Sequence, residues 1–241
     1  MAWQTSLRAL TAVLLLVGSA CGVEPEGGNM VDLQAVKLPE PVFDGEVSVE
    51  KAIQQRRSVR DFTEEPLTLA EVSQVLWAAY GITQPIPGGP AFVRGGLRTA
   101  PSAGALYPLE IYLFAGDVTG LEPGVYRYRS EAHKLVTVLR GDRRAPLFEA
   151  ALGQEWVRDA PASLVYSAIF ERNTGKYGKR GRERYVCMDL GHSGQNVYLQ
   201  CGALGLGTCA IGAFIDADVK AAAGMPAEEE PLYIMPVGRP E

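Results

Sequence analysis

The sequence predicts an α+β fold, and three observations carry that prediction. Helical and extended patterns follow one another without the regular alternation that a doubly wound parallel sheet requires. Residues 109–115 and 163–170 read as strands, and 125–129 with 135–139 reads as a hairpin around Ser130-Glu131. The longest helical pattern, from about Glu183 to Leu204, has strand patterns before and after it. Composition permits such a fold: of 241 residues, 47% are hydrophobic and 21% charged, enough to bury a substantial core.

The elements follow in order. Ser48 suits an N-cap, Glu50 the first turn, and Val49, Ala52 and Ile53 form the apolar stripe of a helix running to about Arg57. Thr68 and Glu71 have capping-box spacing, Leu67 and Val72 that of a hydrophobic staple. Leu69, Val72, Val75, Leu76 and Ala79 then line one helix face that ends at Gly81. Residues 83–96 are rich in Pro and Gly and read as a loop. A short helix is expected over 143–152, an extended stretch over 208–214, a brief helix capped by Asp216, and a last strand over 232–237.

The N-terminus stands apart. Arg8, the apolar run Ala9 to Val17 and the small residues before Cys21 have the form of a signal peptide over residues 1–20. The run is short for a bilayer of ~30 Å. Ser19-Ala20-Cys21 resembles a bacterial lipobox, which implies an exported chain anchored to the membrane only through lipid on Cys21; the lesser alternative is ordinary cleavage, which Gly18 and Ala20 also suit. Residues 21–46 are rich in Pro, Gly and acid and read as a flexible linker, leaving 47–241 as the globular domain. The net charge of −5 and the lack of a basic stripe argue against a nucleic-acid partner. Cys187, Cys201 and Cys209 lack zinc-site spacing, so no metal is expected; all three are read as buried thiols, ahead of a disulfide between Cys201 and Cys209.

Four stretches carry chemistry. Arg56, Arg57, Ser58 and Arg60 gather guanidinium forks suited to phosphate, or else simply close a helix C-terminus. Pro101, Ser102, Ala103 and Gly104 let a backbone approach a flat ligand, or form an ordinary turn. Lys176 and Tyr177, between Gly175 and Gly178, are proton-transfer groups in a loop, or merely exposed. The last stretch runs from Asp189 to Phe214, with a lone His192 whose role stays open. Its glycines follow a helix instead of preceding one, which excludes a dinucleotide fingerprint, and Walker A, HExxH and GxSxG patterns are absent.

In this order, RRSVRDF, PSAGALYPLEIY, KYG, GHSGQNVYLQ, ALGLGTCAIGAF and PVGRP resemble the nitroreductase superfamily over about residues 48–239, and within it the SagB-type dehydrogenase, azoline oxidase-like branch. The resemblance implies a mixed, mostly antiparallel sheet flanked by helices, and FMN bound between the subunits of a homodimer. It implies that Arg56, Arg57, Ser58, Arg60 and the late Arg239 meet the phosphate and ribityl end. Pro101, Ser102, Ala103 and Gly104 would reach the flavin from the other subunit. Ala210, Ile211, Gly212 and Ala213 would lie along the ring edge with an amide facing N5, and Lys176 and Tyr177 would be catalytic. The chemistry implied is ping-pong hydride transfer through N5, acting on a small molecule or peptide with an unspecified electron partner. The sequence stops soon after Arg239, so less exchange of C-terminal arms is expected than in many relatives. The competing expectation is a non-catalytic exported binding protein on the same fold.

Overall fold

A computed structural model describes residues 34–241. The expected signal peptide, Cys21 and the first part of the linker lie outside the described residues.

The chain opens with strand β1 (Ala35–Lys37) and helix α1 (Val49–Gln55), then β2 (Leu67–Thr68), α2 (Leu69–Tyr80), β3 (Ile82–Pro85) and β4 (Gly96–Arg98). It continues through β5 (Leu109–Ala115), β6 (Val118–Thr119), β7 (Gly124–Arg129), β8 (Lys134–Arg140), α3 (Arg144–Ala150) and α4 (Glu155–Asp159). Strand β9 (Ala162–Ala168), α5 (Glu171–Tyr177), α6 (Val186–Ala203), β10 (Gly207–Thr208), α7 (Asp216–Ala223) and β11 (Glu230–Gly238) complete it.

Seven strands form one sheet in the order β1-β8-β7-β5-β9-β11-β10. Every pairing within it is antiparallel. Among the described residues parallel pairing is confined to the separate ribbon of β2 and β6, so the expected mixture lies outside the main sheet. All seven residues of β5 and of β9 are buried, because helices cover both faces. Leu109, Ile111 and Leu113 pack with Val72, Leu76, Val186, Leu190 and Val197 of α2 and α6. Tyr112, Phe114 and Val165 point the other way, to Leu147, Val157, Val219 and Ala223 of α3, α4 and α7. Each fully buried Leu or Val on either face contributes about 1.5–3 kcal/mol of transfer free energy.

The capping box forms as expected: the Thr68 hydroxyl accepts from the Glu71 amide at 3.2 Å, and the Glu71 carboxylate accepts from the Thr68 amide at 2.8 Å. Several expectations need correction. Within the stretch read as linker, described residues belong to the fold: β1 pairs with β8, Leu38 is buried, and the Ser73 hydroxyl donates to the Pro39 carbonyl at 2.6 Å. Apolar Ala35, Val36 and Leu38 outweigh the flanking Pro and Gly. The loop at 83–96 contains the β3–β4 ribbon. Asp216 is the first residue of α7 instead of its cap, which is Ile215. Cys201 and Cys209 are buried free thiols, but Cys187 is exposed because its helix turns that face to solvent. Burial pushes the Cys209 thiol up to about 11, against the nearby Arg60 charge.

Candidate functional site

The structure gathers the expected site residues into two groups on α6. The first is built where the end of α1 runs beside β10. The Val59 amide donates to the Thr208 carbonyl at 3.0 Å, and a Cβ on Gly207 would come within 2.6 Å of the Val59 Cβ, so only glycine permits this approach. The contact lays the arginine cluster against the Ala210–Ala213 segment.

Tyr198 joins them. Its hydroxyl accepts the Ala210 amide at 2.7 Å and lies 3.1 Å from the Ser58 Oγ, while the Arg56 guanidinium sits 5.2 Å from its ring centroid. Arg60 stands 5.6 Å from the Trp156 ring centroid. Arg57 donates from Nη1 to the Gln54 and Arg56 carbonyls at 3.1 and 2.8 Å, so part of its fork closes α1, as the plainer reading held. Among the described residues none of the three pairs with a carboxylate, which leaves an uncompensated cationic face.

Ile211 is fixed by two backbone bonds to Ile234, at 2.9 and 3.0 Å. Gly212 and Ala213 beyond it are exposed, and the Gly212 amide has no partner among the described residues. The donor set therefore fits a flat ligand with an anionic tail: guanidinium groups and a hydroxyl at one end, a free amide over open space at the other.

Arg239 is paired within the chain. Its Nε pairs with Glu65 and its Nη2 with Glu71, each at 2.9 Å, so its charge is already neutralised by two carboxylates. The sequence signal was blind to this because Glu65 and Glu71 lie far from Arg239 along the chain. Burial raises the Glu71 carboxyl, but Thr68 and Arg239 outweigh it and hold the pKa below the ordinary value.

The second group surrounds the 101–104 turn. Asp189, buried in α6, accepts the Ser102 hydroxyl at 2.6 Å and the Ala103 amide at 3.2 Å, and Ser102 Oγ in turn accepts the Tyr107 amide at 2.9 Å. Burial raises the Asp189 pKa, against these two bonds and the His192 charge. Pro101 is exposed, and His192 sits on the open face of α6. Lys176 and Tyr177 close helix α5 instead of lying in a loop; Gly175 is tolerated within that helix and Gly178, at φ 57°, ends it. A Cβ on Gly104, at φ 66°, would lie 2.6 Å from the Tyr177 hydroxyl and 3.0 Å from Lys176 Nζ, so the turn and the Lys-Tyr pair are in contact.

Helix α5 is held by charge. Glu110, on β5, pairs with Arg94 at 2.7 Å, Arg127 at 3.1 Å and Arg172 at 2.6 Å. Burial raises the Glu110 carboxyl, but the three guanidinium groups outweigh it and hold the pKa at about 2. Arg127 also pairs with the fully buried Glu229 at 2.6 Å.

Asp189 and Tyr198 are nine residues apart on α6. At ~1.5 Å and ~100° per residue, they are separated by about 14 Å and half a turn. One protomer therefore presents the two groups on opposite faces of the same helix. Sequence reasoning quoted both residues within motifs but gave neither a role, since hydrogen bonding across the fold leaves no local pattern.

Residues 53–239 match the model of the nitroreductase family. A Methanocaldococcus jannaschii protein classed as a nitroreductase is 44% identical over 210 residues, covering 87% of this chain and 98% of that protein. The trifolitoxin-processing protein TfxB of Rhizobium leguminosarum bv. trifolii is 32% identical over 113 residues, 45% of this chain and 30% of that protein. Among solved structures, one of the same class from Anabaena variabilis superposes with a TM-score of 0.74 at 31% identity, over 89% of this chain and 43% of its own. The Escherichia coli microcin synthetase McbBCD complex, with truncated pro-MccB17 bound, superposes with a TM-score of 0.63 at 24% identity, over 85% of this chain and 77% of the matched one, which is a likeness of fold. Proteins of this family generally use FMN and are typically homodimers. The chain is an oxidoreductase and belongs to the nitroreductase family.

Proposed function

We propose that two copies of this chain bind FMN between them and that the protein is a flavin-dependent dehydrogenase. The observation that carries the reading is the half-turn separation of the two groups on α6. A second copy, related by a two-fold axis, supplies from its own turn what the first presents on the wrong face.

In this arrangement Arg56, Arg57, Ser58 and Arg60 of one copy would hold the phosphate and ribityl end, and the Ala210–Ala213 run would line the ring, with the exposed Gly212 amide available to donate to it. The opposite wall is Pro101, Ser102, Ala103 and Gly104 of the other copy, with Lys176 and Tyr177 behind them. Bound flavin supplies the hydride chemistry. Lys176 and Tyr177 exchange a proton with the substrate, and Asp189 fixes the turn on which they rest. Arg239 supports α2 through Glu71. The groove of about 990 Å³ between α1, α2 and α6, lined by Val42, Phe43, Val49, Trp77 and Leu204, is the surface the second copy would cover. Its exposed Phe43 and Val49, 79% and 65% accessible, favour such a cover.

The SagB-type, azoline oxidase-like assignment belongs to this proposal. It is supported by the likeness to TfxB and to the McbBCD fold, and it points to oxidation of a small molecule or peptide. The test is to titrate the purified protein with FMN while following absorbance and size. Saturable binding near one flavin per chain, in a dimer, is expected; a chain that neither binds FMN nor gains thermal stability from it contradicts the reading.

A further inference from the structure

The segment from Lys176 to Tyr185 is out of character with the rest of the chain. The protein carries a net charge of −5, yet these ten residues hold Lys176, Lys179, Arg180, Arg182 and Arg184 against the single carboxylate of Glu183. Two of the cations are offset: Arg182 by Glu230, and Lys179 by Glu183 at 3.2 Å with both side chains well exposed. Among the described residues Lys176, Arg180 and Arg184 have no carboxylate partner.

Arg180 is also held in place. Its Nε donates to the Tyr185 hydroxyl at 3.2 Å, and the Tyr185 ring stacks edge-on against Tyr177 with centroids 4.8 Å apart. Lys176 Nζ sits 5.3 Å from the centroid of the Tyr177 ring. A line of contacts therefore runs from the Gly104 turn through Lys176, Tyr177 and Tyr185 to a guanidinium whose two Nη groups have no partner among the described residues. Such a fork is shaped for the two oxygens of a carboxylate or phosphate. A cationic rim at the mouth of a site also raises the capture rate of anions by about 10- to 1,000-fold, and salt suppresses the gain.

We propose that the substrate meeting Lys176 and Tyr177 is a small organic anion, carrying a carboxylate or phosphate, that Arg180 receives. The inference rests on the flavin-enzyme reading above and adds the charge class of what that enzyme acts on. Arg184 draws the anion in, and Arg180 orients it across the two tyrosine rings.

Ligand-observed NMR titration of the FMN-loaded protein with benzoate, phenyl phosphate and benzyl alcohol tests this. At low ionic strength at least one anion binds about tenfold tighter than the alcohol, and the tighter of the two identifies the group recognised. Arg180→Glu abolishes the preference, Arg180→Lys keeps part of it, and high salt suppresses it, while FMN affinity at low salt is the same in both variants as in the parent. Equal binding of all three probes, or a preference that survives Arg180→Glu, overturns the proposal. If the protein takes up no FMN, the flavin reading fails separately, and the same titration of the flavin-free protein still decides whether the anion site exists.

Discussion

Replacing Arg56 and Arg57 together with alanine is expected to weaken FMN binding by about a hundred- to ten-thousand-fold. Each charge-assisted hydrogen bond to phosphate is worth roughly 1.5–3 kcal/mol, and one such bond is lost from each side chain. The fold is expected to tolerate the change: Arg57 gives two bonds to the end of α1, worth at most about 1 kcal/mol at an exposed helix terminus. Isothermal titration with FMN reads the first effect and thermal unfolding the second. Arg239→Ala is the internal contrast. Since its guanidinium is spent on Glu65 and Glu71, it is expected to lower stability while changing FMN affinity less than about threefold. An Arg56→Ala/Arg57→Ala protein that binds FMN like the parent removes the cluster from the site.

The second large effect lies away from the cofactor. Glu110→Ala removes a buried carboxylate shared by three guanidinium groups, leaving Arg94 and Arg172 without a carboxylate and Arg127 with Glu229 alone, and removing one partner of a buried pair costs about 3–5 kcal/mol. For a domain of this size that lowers Tm by roughly 6–20 °C. Activity is expected to fall with it, because Arg172 is the charge that fastens α5, and with it Lys176 and Tyr177, to β5. The sign of the pH dependence follows from the direction of the shift. The folded-state pKa of Glu110, about 2, lies below its ordinary value of 4.5, so its stabilisation is complete above pH 4.5 and is lost as pH falls toward 2. Glu110→Gln should therefore be less stable than the parent at neutral pH and should lose less on acidification across that window. Parallel acid-unfolding curves for the two proteins would exclude the role given to Glu110.

How much of this was legible in the sequence depended on how local the cause was. The Thr68–Glu71 capping box, the 109–115 strand, the hairpin around Ser130 and the long helix ending before Gly205 rest on periodicity and caps, and all formed. β1 was hidden because three residues cannot announce a strand without the partner that orders them. The site residues were legible as motifs, but their grouping was not. Arg56 meets Tyr198, Ser102 meets Asp189, and Gly104 meets Tyr177 only after the chain folds. Arg239 shows the converse. A motif position was visible, while the carboxylates that occupy it were dispersed along the chain. Glu110 was quoted inside a motif as one residue of a strand, and nothing near it foretold three arginines converging from β7, α5 and the turn before β4.

The claim that each site is assembled from two copies has a direct measurement. An Arg56→Ala/Arg57→Ala chain and a Lys176→Ala/Tyr177→Phe chain are unfolded, mixed in equal amounts, refolded with FMN and assayed beside each variant refolded alone. If the two groups belong to different copies, every mixed dimer regains one intact site, and the mixture recovers about a quarter of the parent activity while each variant alone stays inactive. Mixed dimers that form in the expected proportion and recover no activity would mean that one copy supplies both groups, and the account would be wrong.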